Sequence, residues 1–160
     1  MACKAAEEKA QELGYKTMFL TSMVEGEARE IGKYLVEKAS NHINDQKMAF
    51  ISGGETTVTI KGKGHGGRNQ EMVLSTLDLL IDEDIIFSSF ATDGIDGKSD
   101  ASGAIADGYT LEAAKKKNIN YMVFLENNNS YEFFKKMDNL LITGPTGTNV
   151  MDIQVILKLR

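Results

Sequence analysis

Four times along this chain, strand-like or polar segments give way to a glycine-rich loop. The loops are Gly53-Gly54-Glu55, Lys61 to Glu71, Asp93 to Gly103 and Gly144 to Asn149. Between them lie segments whose apolar residues recur at helical spacing. Such alternation argues for a sheet layered with helices, because each element has one apolar face to bury against the next. The expected fold class is α/β: a three-layer α/β/α domain with a mixed, mostly parallel β-sheet. Loops that follow strands pointing the same way converge on one edge, where α/β sheets bind ligands.

Strong helix formers fill Ala2 to Leu13, and Gly14 stands where a terminating glycine belongs. Tyr15 to Thr21 reads as a strand. A second helix opens at Glu25-Gly26-Glu27, with Ile31, Leu35 and Ala39 as its apolar stripe. Lys47 to Ser52 is a short apolar strand, and β-branched Thr56 to Lys61 reads as another. The short link between them predicts a hairpin or near neighbours. Asn69 to Ile81 has helical periodicity. Asp84 to Phe90 is nearly continuous in apolar character, as in a strand buried on both faces. Gly108 to Lys117 is helical, and Tyr121 to Leu125 fits either a strand or a helix. Ser130 to Met137 is helical with Ser130 as a candidate N-cap. Leu140 to Thr143 and Asp152 to Leu159 complete the set of strands.

The length of 160 residues suits one domain with its own core, spanning 1–160. With 42% hydrophobic and 26% charged residues, the composition excludes disorder of the whole chain. The net charge of -5 and scattered Lys and Arg disfavour a nucleic-acid partner, which needs a basic face. The one cysteine, Cys3, cannot form an internal disulfide, which fits a reducing compartment. No apolar run approaches the roughly 20 residues of a membrane span. No apolar signal-peptide core is present, so a cytoplasmic location is expected.

The loop from Lys61 to Glu71 combines glycine, cations and the start of a helix. Glycine lets backbone approach closely, and free N–H groups at a helix start favour an anion. The loop is not a P-loop, since it lacks the terminal Gly-Lys-Ser/Thr. Nor does it have the evident βαβ unit and later acid of a dinucleotide fingerprint. Arg68 has the planar fork that grips phosphate, although a salt bridge is an equal reading of the same residue. Lys61 and Lys63 read first as flexible solvated lysines and second as a source of positive field, and His65 reads as a solvated loop histidine. Asp93, Asp96 and Asp100 form an acidic group after a buried strand, a setting for Mg²⁺. Turn and cap duty is the reading for Asp100 and Asp107. Gly144 to Asn149 offers hydroxyls and amides to an anion, or forms a rigid turn around Pro145. Glu55 would bind a hydroxyl or pair with Arg68.

In matching order, Gly53-Gly54-Glu55-Thr56-Thr57-Val58, Gly62 to Glu71, Thr92 to Gly97 and Thr143 to Asn149 resemble the C-terminal MOFRL domain of the glycerate 2-kinases, a family also described as hydroxypyruvate reductases. Gly26 to Arg29 and Asn128 to Tyr131 fit as well. The resemblance covers essentially the whole chain. It implies phosphorylation of D-glycerate to 2-phosphoglycerate, with ATP and Mg²⁺. It implies catalytic roles for Arg68 and Asp93, and metal binding by Asp93 and Asp96. Substrate or phosphate would meet Gly54, Glu55, Gly64, Gly66, Gly67, Asn69, Gly144, Thr146, Gly147, Thr148 and Asn149. Family members carry a Rossmann-like N-terminal domain with the catalytic lysine, and no position here matches it. That domain is the expected partner, and the chain alone is expected to be inactive. Two alternatives stand beside this reading: a nicotinamide-dependent hydroxypyruvate reductase, and a non-catalytic phosphate-binding or interaction module. An exposed apolar face would also permit a homo-oligomer.

Overall fold

The computed structural model describes residues 1–43, 45–81 and 83–159. In chain order the elements are α1 (Ala2–Glu12), β1 (Lys16–Val24), α2 (Ala28–Ser40), β2 (Met48–Gly54), α3 (Arg68–Leu74) and β3 (Ile85–Ala91). Then follow β4 (Gly103–Asp107), α4 (Thr110–Lys116), α5 (Tyr121–Glu126), α6 (Ser130–Met137), β5 (Leu140–Leu141) and β6 (Asp152–Lys158). Among the described residues, no helix is long and apolar enough to cross a membrane.

The sheet has six strands in the order β1-β2-β6-β3-β4-β5. It is mixed, as expected, but the expectation of mostly parallel pairing is corrected. Among the strands of the described residues only β1 and β2 pair in parallel, while β2–β6, β6–β3, β3–β4 and β4–β5 are all antiparallel. The cause is the last strand, β6, which inserts between β2 and β3. Strands β1, β2, β3 and β5 still run the same way, so the ends of β2, β3 and β5 lie at one edge of the sheet. Alternation along β2 divides the core. Met48 and Phe50 pack with Phe87, Ile156 and the apolar stripes of α2, α3 and α6. Ala49 and Ile51 face the other way, onto Ala6 and Ala10 of α1. Helices therefore cover both faces of β2.

Several local expectations change. Thr56 to Lys61 forms no strand and no hairpin with β2. At Gly54 the φ of 147° turns the chain off the sheet, and β6 already occupies the neighbouring place. The segment becomes a strap across the start of α2. Thr57 exchanges backbone hydrogen bonds with Gly26 and Ala28, and Thr59 N–H donates to the Glu27 carboxylate. The regular part of α3 ends at Leu74, short of Ile81, and continues as turns. Strand β4, made largely of small residues, falls in a stretch for which the sequence pattern predicts no element. β3 alternates between buried and half-buried positions. Tyr121 to Glu126 is a helix, capped by the Asn120 side chain. The N-cap of α6 is Asn129, not Ser130.

Candidate active site

The loops after β2, β3 and β5 meet at the carboxyl edge of the sheet. A cleft of about 740 Å³ opens there, lined by residues 55–58, 60, 62–68, 71, 97, 98 and 128. Of the residues expected to bind ligand, Glu55, Gly64, Gly66, Gly67 and Arg68 line it.

From Lys61 to His65 the glycine-rich loop does not offer its amides to this cleft. A second loop, Asn127 to Asn129, consumes them one after another. Asn128 Oδ1 accepts from the N–H groups of Lys61 (2.7 Å) and Gly62 (2.9 Å). Asn127 accepts from Lys63 through Oδ1 (3.1 Å) and from Gly64 through its carbonyl (2.9 Å). Asn129 Oδ1 accepts from His65 N–H (2.9 Å), and Tyr131 N–H returns a bond to the His65 carbonyl. The glycines serve this loop-on-loop contact. A Cβ at Gly62 would overlap the Asn127 carbonyl, one at Gly64 would overlap Asn129, and one at Gly66 would overlap the Ser130 hydroxyl. Over Lys61 to His65 the expected backbone cradle for phosphate is thus replaced by an internal one, while the 127–129 loop does not take the N–H groups of Gly66, Gly67 and Arg68.

The start of α3 does hold an anion, and the anion is Asp96. Its Oδ1 accepts from Asn69 N–H (3.1 Å) and Asn69 Nδ2 (3.2 Å). Its Oδ2 accepts from Gln70 N–H (2.9 Å) and Gln70 Nε2 (3.0 Å). A Cβ at Gly67 would overlap this carboxylate. Asp96 is 1% exposed. Burial pushes its carboxyl above the usual range, against the opposing pull of the Asn69 and Gln70 donors. Asp96, expected to bind metal, has both oxygens engaged by donors of its own chain. Asn69 is fully buried, accepts from Ser89 Oγ and lies outside the cleft lining. Below it, Ser52 Oγ donates to Gln154 Oε1 across β2 and β6, extending the polar layer.

Arg68 realises both of its readings. Nε and Nη2 donate to Asp152 at 2.6 and 3.0 Å, and Nη1 pairs with Glu55 at 2.7 Å. Asp152 is 1% exposed as a side chain, whereas Glu55 is 57% exposed. The hydrogen bonds that Arg68 donates to Asp152 push the guanidinium pKa further up. Asp152 is therefore the buried anchor, and Glu55 is the partner on the solvent side. Lys63 and Lys98 also line the cleft. His65 bonds the Lys98 carbonyl through Nε2 at 3.1 Å and packs on the Tyr131 ring.

Asp93 lies beside the cleft, not in its lining. It binds the 144–149 loop: its carbonyl accepts from Thr146 N–H (3.0 Å) and its Oδ2 from Asn149 Nδ2 (3.2 Å), while Oδ1 accepts from Ile95 N–H (3.0 Å). Thr146 Oγ1 donates to the Thr92 carbonyl. Gly144 and Gly147 adopt φ of 69° and 74° with open space where a Cβ would stand. Thr148 N–H bonds Thr146 Oγ1 (3.3 Å), closing the turn on itself. Gly54 faces a neighbouring groove with Val150 and Asp152. Asp100 accepts from Tyr131 Oη (2.8 Å), and Asp107 caps the start of α4. Among the described residues, no group of three or more His, Cys, Asp or Glu is gathered to hold an ion. Mg²⁺ needs few protein carboxylates, because it keeps waters and leans on phosphate oxygens.

Asp152 and the buried pair of Arg29 with Glu71 (2.6 Å) were not read from the sequence. Asp152 sits on a strand that reads as ordinary, and its partner is 84 residues away. An acid at the mouth of a strand that faces a cleft arginine is the signal that was available.

A sheet of this order, with a cleft built on Gly-Gly-Arg-Asn-Gln-Glu at its carboxyl edge, matches one known class. Residues 48–152 match the MOFRL family. The chain is 41% identical over 97% of its length to glycerate 2-kinase of Pyrococcus horikoshii, and 42% identical over 94% to D-glycerate 2-kinase of Thermotoga maritima. It spans 37% and 38% of those relatives. A protein named putative hydroxypyruvate reductase from Agrobacterium vitis is 36% identical over 98% of the chain, which covers 38% of it. The crystal structure of Thermotoga maritima glycerate kinase superposes with a TM-score of 0.91 at 41% identity, over 98% of this chain and 39% of that one. The chain belongs to the MOFRL family.

Proposed function

We propose that this chain forms one wall of the active-site cleft of a glycerate 2-kinase, which transfers phosphate from ATP to the 2-hydroxyl of D-glycerate. The observation that carries the reading is the arginine at the mouth of the cleft, in a chain 41% identical to a glycerate 2-kinase. Phosphoryl transfer depends mainly on positioning and on fixed positive charge. Arg68 is fixed from below by Asp152, and Lys63 and Lys98 stand at the same cleft. These side chains would meet phosphate or the glycerate carboxylate. Asp93 would supply one carboxylate to Mg²⁺, which neutralises phosphate charge when bound.

The other wall belongs to sequence that relatives have beyond the matched 37–38%. Exposed Ile60, Ile95, Ile142, Val150 and Met151 lie on loops at this edge and suit contact with such a domain. The test measures ADP release with D-glycerate, ATP and Mg²⁺, with and without that remaining sequence from a relative. Turnover should require both parts. Arg68→Lys should lower kcat by about 10² to 10³, the size of a lost charge stabiliser. Unchanged turnover would remove Arg68 from the mechanism.

The relatives named hydroxypyruvate reductase favour a second reading, oxidation of NADH with hydroxypyruvate. The backbone approach at Gly62, Gly64 and Gly67 is already filled by Asn127, Asn129 and Asp96, which argues against pyrophosphate of a dinucleotide lying there. Loss of NADH absorbance is the direct assay.

A further inference from the structure

Asn128 rests on two separate parts of the cleft. Its Oδ1 accepts from the loop amides of Lys61 and Gly62. Its Nδ2 donates to both oxygens of Glu71 at 3.0 Å and to the Thr59 carbonyl at 3.3 Å. Glu71 lies one turn along α3 from Arg68. Arg29 holds it from the other side at 2.6 Å, and Arg29 Nη2 bonds the Leu125 carbonyl. One primary amide thus accepts from the loop and donates to the helix. A carboxylate of the same size lacks the donor, a serine or threonine hydroxyl has a single donor hydrogen on a shorter side chain, and alanine has neither donor nor acceptor. The contact is 8% exposed, where an unmade hydrogen bond is costly.

We propose that Asn128 is a positioning residue. It fixes the cation-bearing loop Lys61–His65 against the helix that carries Arg68, so that Lys63 and Arg68 face one anion together. This rests on reading the cleft as a phosphate-handling wall. The amides taken up by Asn127 to Asn129 make the loop a rigid carrier of side chains. Its height above α3 is then set by the single amide at position 128.

The test uses the full 160-residue chain and inorganic phosphate as the probe. The variants are Asn128→Gly, Asn128→Asp, and Asn128→Asp combined with Glu71→Gln. Glycine is the right truncation because φ at Asn128 is 51°. Asn128→Asp sets a second carboxylate against buried Glu71. In the double variant the amide moves to position 71, so the bond re-forms in the opposite sense. The chain has two histidines. His65 on the loop reports by NMR, and His42, which packs on Phe50, is the internal control.

Phosphate should shift the His65 ring signals and leave those of His42 in place. Both single variants should weaken phosphate affinity about tenfold, the scale of one lost hydrogen bond, and speed amide exchange at Lys61 and Gly62. The double variant should recover most of both. Wild-type affinity in the single variants, alongside faster exchange, would overturn the proposal by making Asn128 a stabiliser of the loop alone. So would a His65 in the unsubstituted chain that ignores phosphate. Should Asn128→Gly not fold, Gly62→Ala carries the same expectation, because it drives the loop off Asn127 from the opposite side. A normal phosphate response without glycerate phosphorylation would sink the kinase reading and leave this one standing.

Discussion

Asp93 and Asp96 are three residues apart in one loop, yet they have opposite fates. Asp96 turns inward, meets four N–H donors and becomes the counter-charge at the start of α3. Asp93 stays at the edge and joins two surface loops through one side-chain amide and its own turn. The difference lies in what stands opposite. Gly67 leaves room for the Asp96 carboxylate, and Asn69 and Gln70 present paired backbone and side-chain donors. Opposite Asp93 is the open turn at 144–149. An acid beside a glycine-rich helix start is therefore a structural anion here, whereas its neighbour at the edge serves a surface turn.

The sharpest test of this contrast is truncation. Asp96→Ala orphans two backbone and two side-chain donors in a buried site. It should cost about 3–5 kcal/mol in urea unfolding, the range seen when a buried charged network loses a member. An equal loss from Asp93→Ala would break the contrast. Gly67→Ala attacks the same contact from the helix side. Its Cβ would displace the Asp96 carboxylate, at a cost of about 1–3 kcal/mol, with a lower Tm as the readout.

Much of this was legible in the sequence, and the remainder has a common cause. The apolar runs that became β2, β3 and β6 and the helical stripes of α1, α2 and α6 were readable because burial periodicity is local. So was the convergence of glycine-rich loops, which needs only strand direction. What failed depends on distant partners. The insertion of β6 beside β2 denied Thr56 to Lys61 a place in the sheet. The loop amides looked free because their acceptors are about 65 residues downstream, at 64 to 67 positions' separation. Arg68 was found, but its anchor Asp152 was not, for the same reason. Glycine announces a close approach, and it does not say whether ligand or protein makes it.

Acidity offers a finer separation of the two acids. Burial raises the Asp96 carboxyl, so the native chain keeps its proton where the unfolded chain releases it. The stability gained from that proton is full below the unfolded value, about 3.9, and is lost as pH rises through the folded value. The stability of the natural chain relative to Asp96→Asn should therefore fall with rising pH in that window. The difference should then level off. Urea unfolding of both proteins across the acid range would show it, and a flat difference would mean that the four donors cancel the effect of burial.

The smallest effect belongs to the surface partner. Asn149→Ala removes one exposed hydrogen bond of 3.2 Å from Asp93 and one to Met151 N–H. Stability should change by less than about 0.5 kcal/mol, as for other surface positions. The Asp93 backbone contact with Thr146 remains, so the loop should keep its place. If the 144–149 turn holds Asp93 ready for Mg²⁺, the variant should instead alter the Mg²⁺ dependence of turnover in the completed enzyme. Unaltered stability together with unaltered Mg²⁺ dependence would leave Asp93 as a turn residue, and the contrast with Asp96 would then be one of burial alone.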